Sequence, residues 1–155
     1  MSENPRTLII RTSWLYGGER YGSSDTGVYK NFVNTMLRLA ETRDTLSVVS
    51  DQYGIPTSAR DFSYVIRDVI GNLEEYSGNI LHISNTCEEG SVTWADFTKE
   101  IFAIENKSTT IKSCNSDEYS SKAKRPRWSI LKNISHYVLP TWQKGLRAYL
   151  YNNQT

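Results

Sequence analysis

The run Leu8-Ile9-Ile10, held between Thr7 and Thr12, constrains this chain more than any other feature. Its apolar residues are continuous rather than alternating, which predicts a strand with both faces covered. Such strands belong to parallel sheets, and parallel neighbours must be joined by crossovers, usually helical. The rest of the sequence supplies them. Apolar spacing predicts a helix from Asn31 to Leu39, with Phe32, Val33, Met36, Leu37 and Ala40 on one stripe. Glu41 to Asp44 ends it, and Leu46 to Val49 reads as a strand. Ser58-Ala59-Arg60-Asp61 has the form of a capping box ahead of Phe62, Val65, Ile66, Val69 and Ile70, with Gly71 as the stop. Asn79 to Ser84 reads as a strand. Thr93-Trp94-Ala95-Asp96 repeats the capping pattern, with Phe97, Ile101, Phe102 and Ile104 facing inward. Thr109 to Ser113 reads as another strand and Ser116 to Lys124 as a polar loop. Pro140-Thr141 opens a last helix with Trp142, Leu146, Tyr149 and Leu150 inward. About four strands alternating with four helices make an α/β chain that forms part of a sheet rather than a whole doubly wound domain.

The first strand has no preceding element to lie beside, as expected of a fragment. Leu8 to Thr12 would then expose a sheet edge, and exposed edges recruit other chains, so homo-oligomerisation is expected. Across 155 residues, 18 Lys and Arg balance 17 Asp and Glu, which gives no global reason to bind nucleic acid or a membrane surface. No run reaches transmembrane length. Cys87 and Cys114 lack the close second pair of a zinc or disulfide framework and read as plain thiols. The chain reads as a soluble cytoplasmic protein.

Much chemistry is missing. A dinucleotide fold needs glycines between its first strand and helix, so that a pyrophosphate reaches the helix amides. No G-x-G-x-x-G exists here; Gly17, Gly18 and Gly22 precede a long polar loop that continues past Gly27. No tyrosine is followed by lysine at the Tyr-x-x-x-Lys spacing that would lower a phenol pKa for proton transfer. Tyr119-Ser120-Ser121-Lys122 is one residue short. There is no G-x-S-x-G elbow. His82 reads as a structural residue within a strand, and Asp61 and Asp96 as capping acids.

Three segments are more specific. Arg11-Thr12-Ser13-Trp14-Leu15-Tyr16-Gly17 follows the first strand at its carboxyl end, where open α/β sheets place ligands. Trp14 offers a flat face and an N–H donor to a sugar or base, or else packs with Tyr16 beneath the glycine loop. Asp51-Gln52-Tyr53-Gly54-Ile55-Pro56-Thr57 is a polar connector, rigid by virtue of its glycine and proline. Lys122, Lys124, Arg125 and Arg127 form a local basic cluster around Pro126 and Trp128. Such a cluster either holds a diphosphate or is a solvated face.

In this order and spacing the segments resemble the dTDP-4-dehydrorhamnose reductase family of extended short-chain dehydrogenases. The matching positions are Arg11, Thr12, Ser13, Trp14 and Tyr16; then Asn31, Phe32, Thr35, Met36 and Leu37; then Asp51 to Thr57. Arg125, Pro126, Ser129 and Leu131 follow, and Pro140-Thr141-Trp142 resembles the family's ending. The resemblance runs over residues 1–155 but covers only the family's C-terminal half. It implies a partial Rossmann-like substrate-binding domain, with the NAD(P)-binding half absent. It implies that Trp14 contacts the sugar of a dTDP-sugar, with Arg11, Thr12, Ser13, Tyr16, Gln52 and Arg125 on the same substrate side. No catalytic or cofactor-binding residue is expected in this chain; NADPH or NADH would serve the intact enzyme. Some members bind a metal through interface acids, and Arg60 stands where one acid is expected, so no metal site is expected here. A binding or regulatory module of the same fold, and a reductase or epimerase for another nucleotide sugar, remain open.

Overall fold

The computed structural model describes residues 7–18, 31–118, 125–133 and 135–151. It is an α/β structure whose strands are joined in pairs. Strand β1 (Ile9–Arg11) lies parallel to β6 (Ile80–His82), with Ile10 opposite Leu81. Strand β2 (Leu15–Tyr16) is parallel to β5 (Thr57–Ser58), and β3 (Thr45–Val49) to β8 (Thr110–Cys114). Strand β4 (Tyr53–Gly54) runs antiparallel to β7 (Val92–Thr93). The helices are α1 (Phe32–Ala40), α2 (Ala59–Gly71), α3 (Leu73–Tyr76), α4 (Trp94–Ile104) and α5 (Trp142–Tyr151).

The longer elements form where apolar spacing places them. One cluster packs Leu37 of α1 and Leu46 of β3 against Phe97 and Ile101 of α4 and Leu146 and Leu150 of α5. A second joins Val65 and Val69 of α2 to Tyr76, Leu81, Ile83 and Leu139. Each fully buried aliphatic side chain contributes roughly 1.5–3 kcal/mol relative to exposure. Thr93 and Asp96 form the expected capping box on α4: the Thr93 hydroxyl accepts from the Asp96 amide at 3.1 Å and the Asp96 carboxylate from the Thr93 amide at 3.2 Å.

The expectations fail in four places. Strand β1 is not covered on both faces; Ile9 is 40% exposed, and Ile10, pointing to the opposite face, packs on the Val65–Leu81 cluster. Ile70 is 67% exposed, since it sits a full residue off the Val65–Val69 stripe with nothing packed above it. Gly71 does not end α2 in a left-handed turn; the cap is Asn72, whose amide bonds back to Asp68 and Val69 at ordinary negative φ. Asp61 is not the second half of a capping box. The Ser58 hydroxyl does accept from the Asp61 amide, but the Asp61 carboxylate turns to Asn85. The glycine loop beyond Gly18 and the Tyr119–Lys122 segment lie outside the described residues.

Asn85 follows β6 and is 1% exposed. Its carbonyl oxygen accepts from the Ser58 amide at 2.8 Å, and its amide nitrogen donates to Asp61 at 2.7 Å and to the Pro140 carbonyl at 2.9 Å. Thr86 continues the join: its amide reaches the Pro140 carbonyl, and the Trp142 amide reaches the Thr86 carbonyl. Helix α5 comes so close that a Cβ on Gly145 would stand 2.8 Å from the Asp61 carboxylate and 3.3 Å from the Asn85 nitrogen. Replacing Asn85 with alanine leaves an amide, a carbonyl and a carboxylate without these partners. Asn85→Ala is therefore expected to lower stability by about 2–4 kcal/mol, measured by urea unfolding, against about 1 kcal/mol for removing the α4 cap with Thr93→Ala.

Candidate functional site

The chain leaves β1 at Arg11, whose carbonyl accepts from the Ile83 amide at 3.0 Å while its side chain is exposed. The next two residues turn inward. The hydroxyls of Thr12 and Ser13 are buried and have no hydrogen-bond partner among the described residues. An unsatisfied buried hydroxyl costs roughly 1–3 kcal/mol, so both stand out against the general pairing of interior polar groups.

Trp14 then adopts φ 49°, a left-handed conformation that is uncommon for a bulky side chain. The surroundings hold it there. Its carbonyl accepts from the Thr57 amide at 3.1 Å. Its indole lies on Trp94, with centroids 3.5 Å apart and planes within 7°. Phe32 packs on the same Trp94 ring at 4.4 Å. Gly54 covers Trp14 from the other side: a Cβ there would sit 2.3 Å from Cε2 and 2.6 Å from Nε1. The indole is thus clamped between a ring and a backbone. What it presents is its edge, including the indole N–H, rather than an open face.

The three sequence segments meet here. Residues 11–17 join 51–57 through the β2–β5 pairing, Leu15 opposite Thr57 and Tyr16 opposite Ser58. Residues 51–57 join 125–131 through two backbone bonds, Tyr53 N–H to the Arg127 carbonyl at 2.7 Å and Ser129 N–H to the Tyr53 carbonyl at 2.8 Å. Between those bonds the Trp128 ring stacks on Tyr53, with centroids 4.5 Å apart and planes within 14°.

The individual site residues divide. Trp14, Thr12 and Ser13 lie together after β1. Gln52 is buried beside Tyr53. Arg125 and Arg127 are exposed, and Lys122 and Lys124 lie outside the described residues. Tyr16 is 2% exposed, wedged against Phe97 and Tyr149 at 5.5 Å each. Burial, then the Asp61 charge, raises its phenol above the ordinary value, so it keeps its proton at neutral pH. Hydrogen bonds from Ser116 hold the Asp51 carboxyl below the usual carboxylate range, and the Arg127 charge acts in the same direction. Burial and then Glu89 push the Cys87 thiol up to about 11, which leaves little nucleophilic thiolate at neutral pH. His82 bonds through Nδ1 to the Lys132 carbonyl at 3.2 Å. Among the described residues no group of three or more His, Cys, Asp or Glu could hold a metal ion, and no helix is long and apolar enough to cross a membrane.

Sequence reasoning missed Trp94 and Gly54. Trp94 was absorbed into a capping pattern, and Gly54 into a turn. The signal available was the pairing of a tryptophan with a glycine in a short polar connector, which permits close ring-to-backbone approach.

The architecture is that of the substrate-binding half of a Rossmann-type, short-chain-dehydrogenase-like protein. A family model for the RmlD substrate binding domain matches residues 1–155, and the chain belongs to that family. The spore coat polysaccharide biosynthesis protein SpsK of Bacillus subtilis is 38% identical over 151 residues, which cover 93% of this chain and 47% of SpsK. A dTDP-4-dehydrorhamnose reductase of Sinorhizobium fredii is 34% identical, over 97% of this chain and 51% of its own. A crystal structure of a dTDP-4-dehydrorhamnose reductase from Clostridium acetobutylicum superposes with a TM-score of 0.83 at 32% identity, over 98% of this chain and 50% of that one. Another, from Bacillus anthracis in complex with NADP, gives 0.77 at 32% identity, over 95% and 48%. The chain spans about half the length of the curated relatives it matches.

The clamp is directly testable. Gly54→Ala is expected to drive Trp14 off Trp94, costing about 1–3 kcal/mol and erasing the near-ultraviolet circular dichroism of the stacked indoles. An unchanged near-ultraviolet spectrum would mean the rings are not held this way.

Proposed function

We propose that this chain is the nucleotide-sugar-binding portion of an NAD(P)H-dependent dTDP-4-dehydrorhamnose reductase. Such an enzyme reduces the 4-keto group of dTDP-4-dehydro-L-rhamnose and yields dTDP-L-rhamnose. The observation that carries the reading is the junction of residues 11–17, 51–57 and 125–131, three segments brought together by β2–β5 pairing and by the bonds of Tyr53 to Arg127 and Ser129. Family membership and the names of its relatives support the substrate class.

In this reading the edge of Trp14 faces the sugar and its N–H donates to a sugar oxygen. Thr12 and Ser13 bring hydroxyls that lack partners among the described residues. Arg11 and Arg125 supply exposed guanidinium groups, which match phosphate oxygens in bidentate fashion. Gln52 stiffens the connector beneath them; Tyr16 supports it from within the core.

NADPH or NADH would serve hydride transfer in the intact enzyme, but the residues described do not fit a dinucleotide. Helices α2 and α4 open on Ser58 and Thr93 with capped amides, not on a glycine turn. The sequence also contains no Tyr-x-x-x-Lys pair. No proton or hydride step is assigned to this chain's residues, and the chain alone is expected to show no NADPH-dependent reduction.

The test is a titration of the labelled chain with dTDP-L-rhamnose, followed by backbone NMR and the indole signal of Trp14. Saturable shifts at Trp14 and around Arg125 are expected, and they should be lost in Trp14→Ala. A well-dispersed spectrum that does not move with ligand would count against the reading.

Strand β1 has one strand partner among the described residues, and we propose that its other edge takes a further chain, with a second copy of this one as the available occupant in pure solution. Light scattering is expected to show a mass that rises with concentration; a constant monomer mass would refute the idea.

A further inference from the structure

Trp128 is the most exposed tryptophan described, at 64%, yet it is fixed in place. Its neighbours Arg127 and Ser129 are both hydrogen-bonded to the backbone of Tyr53, at 2.7 and 2.8 Å. Its ring lies on the Tyr53 ring at 4.5 Å and 14°. Tyr53 is itself fixed by the antiparallel pairing of β4 with β7, opposite Thr93. A large apolar face is therefore held rigid and open to solvent. Tryptophan and tyrosine side chains held this way are enriched at binding surfaces.

Trp14 does not provide such a face, because Trp94 and Gly54 cover both of its sides. Trp128 and Trp14 nonetheless belong to one unit: Tyr53 carries the first and Gly54, the next residue, covers the second. Beside Trp128, Arg127 is exposed and makes no ion pair among the described residues; its charge helps hold the Asp51 carboxyl below the usual range.

We infer that Trp128, backed by Tyr53, is the stacking platform for the planar base of a nucleoside diphosphate. This rests on the nucleotide-sugar reading above and adds to it the place of the base. The chemistry is face-to-face stacking on an indole that has already lost its rotational freedom, with a guanidinium nearby for the diphosphate. Stacking tolerates different bases, since every base has a π-face. Discrimination among bases would then come from other groups.

The experiment is calorimetric titration of the 155-residue chain with dTDP, UDP, GDP and inorganic pyrophosphate, repeated for Trp128→Ala and Trp128→Phe. At least one nucleoside diphosphate is expected to bind the unmodified chain. Trp128→Ala should weaken it about ten- to a hundred-fold, leave pyrophosphate unaffected, and keep the far-ultraviolet spectrum. Trp128→Phe should recover most of the loss. Absence of nucleoside diphosphate binding, or equal binding by Trp128→Ala, would overturn the platform. The two readings separate cleanly. If UDP or GDP binds through Trp128 while dTDP-L-rhamnose moves no signal, the platform stands and the rhamnose assignment falls. If dTDP-L-rhamnose binds the chain and Trp128→Ala alike, the assignment stands and the platform falls.

Discussion

The side chain of Asn85 is the fastening on which the arrangement depends. It lies where β6 ends, and it ties the first turn of α2 to the approach of α5. These elements belong to different apolar clusters, so a polar group joins what the cores by themselves do not. The task needs an acceptor for Ser58 and donors for Asp61 and Pro140 within one short planar group. Asparagine has both; an aspartate would lack the donors and would face the Asp61 carboxylate with a like charge. Gly145 is the other half of the device, because any Cβ there would meet the same carboxylate.

From this fastening the candidate site follows in order. Ser58, held by Asn85, is the end of β5; β5 pairs with β2; and Trp14 immediately precedes β2. Trp14 sits at a left-handed φ that costs energy on the order of 1–2 kcal/mol, offset by contacts with Trp94 and Gly54 on its two faces. Strain of that kind persists where the surroundings over-determine a conformation, and such places cluster at ligand sites. The same connector, one residue earlier, supports Trp128 through Tyr53.

Much of the fold was legible because its signals are local. Thr93 and Asp96 sit three apart and form their box; Trp142, Leu146, Tyr149 and Leu150 recur at helical spacing and are all buried. The two-residue strands β2, β4, β5 and β7 were not legible, since two residues carry no period. They exist because partners far along the chain supply their hydrogen bonds. Asp61 misled for the same reason: its spacing from Ser58 matches a capping box, but Asn85, absent from any local pattern, competes for it and wins. At the site, the sequence singled out three segments that the fold brings together, but not which faces they turn outward. Whether Trp14 offers a face or packs inward stayed open because nothing nearby in sequence reveals that Trp94 and Gly54 close over it. Trp128 was noted only as part of the basic cluster, because it falls at an unspecified position of the Arg-Pro-x-x-Ser-x-Leu pattern and nothing local shows that its ring stacks on Tyr53.

The clamp around Trp14 also bears on how this chain can vary through descent. A side chain at position 54 would collide with the indole unless the ring shrank or moved, and the ring cannot move while position 94 is a large aromatic. A smaller residue at 94 would leave Trp14 unsupported in a backbone conformation it does not favour. Three positions far apart in the sequence are therefore physically coupled: a change at any one of them strains the packing unless another changes with it.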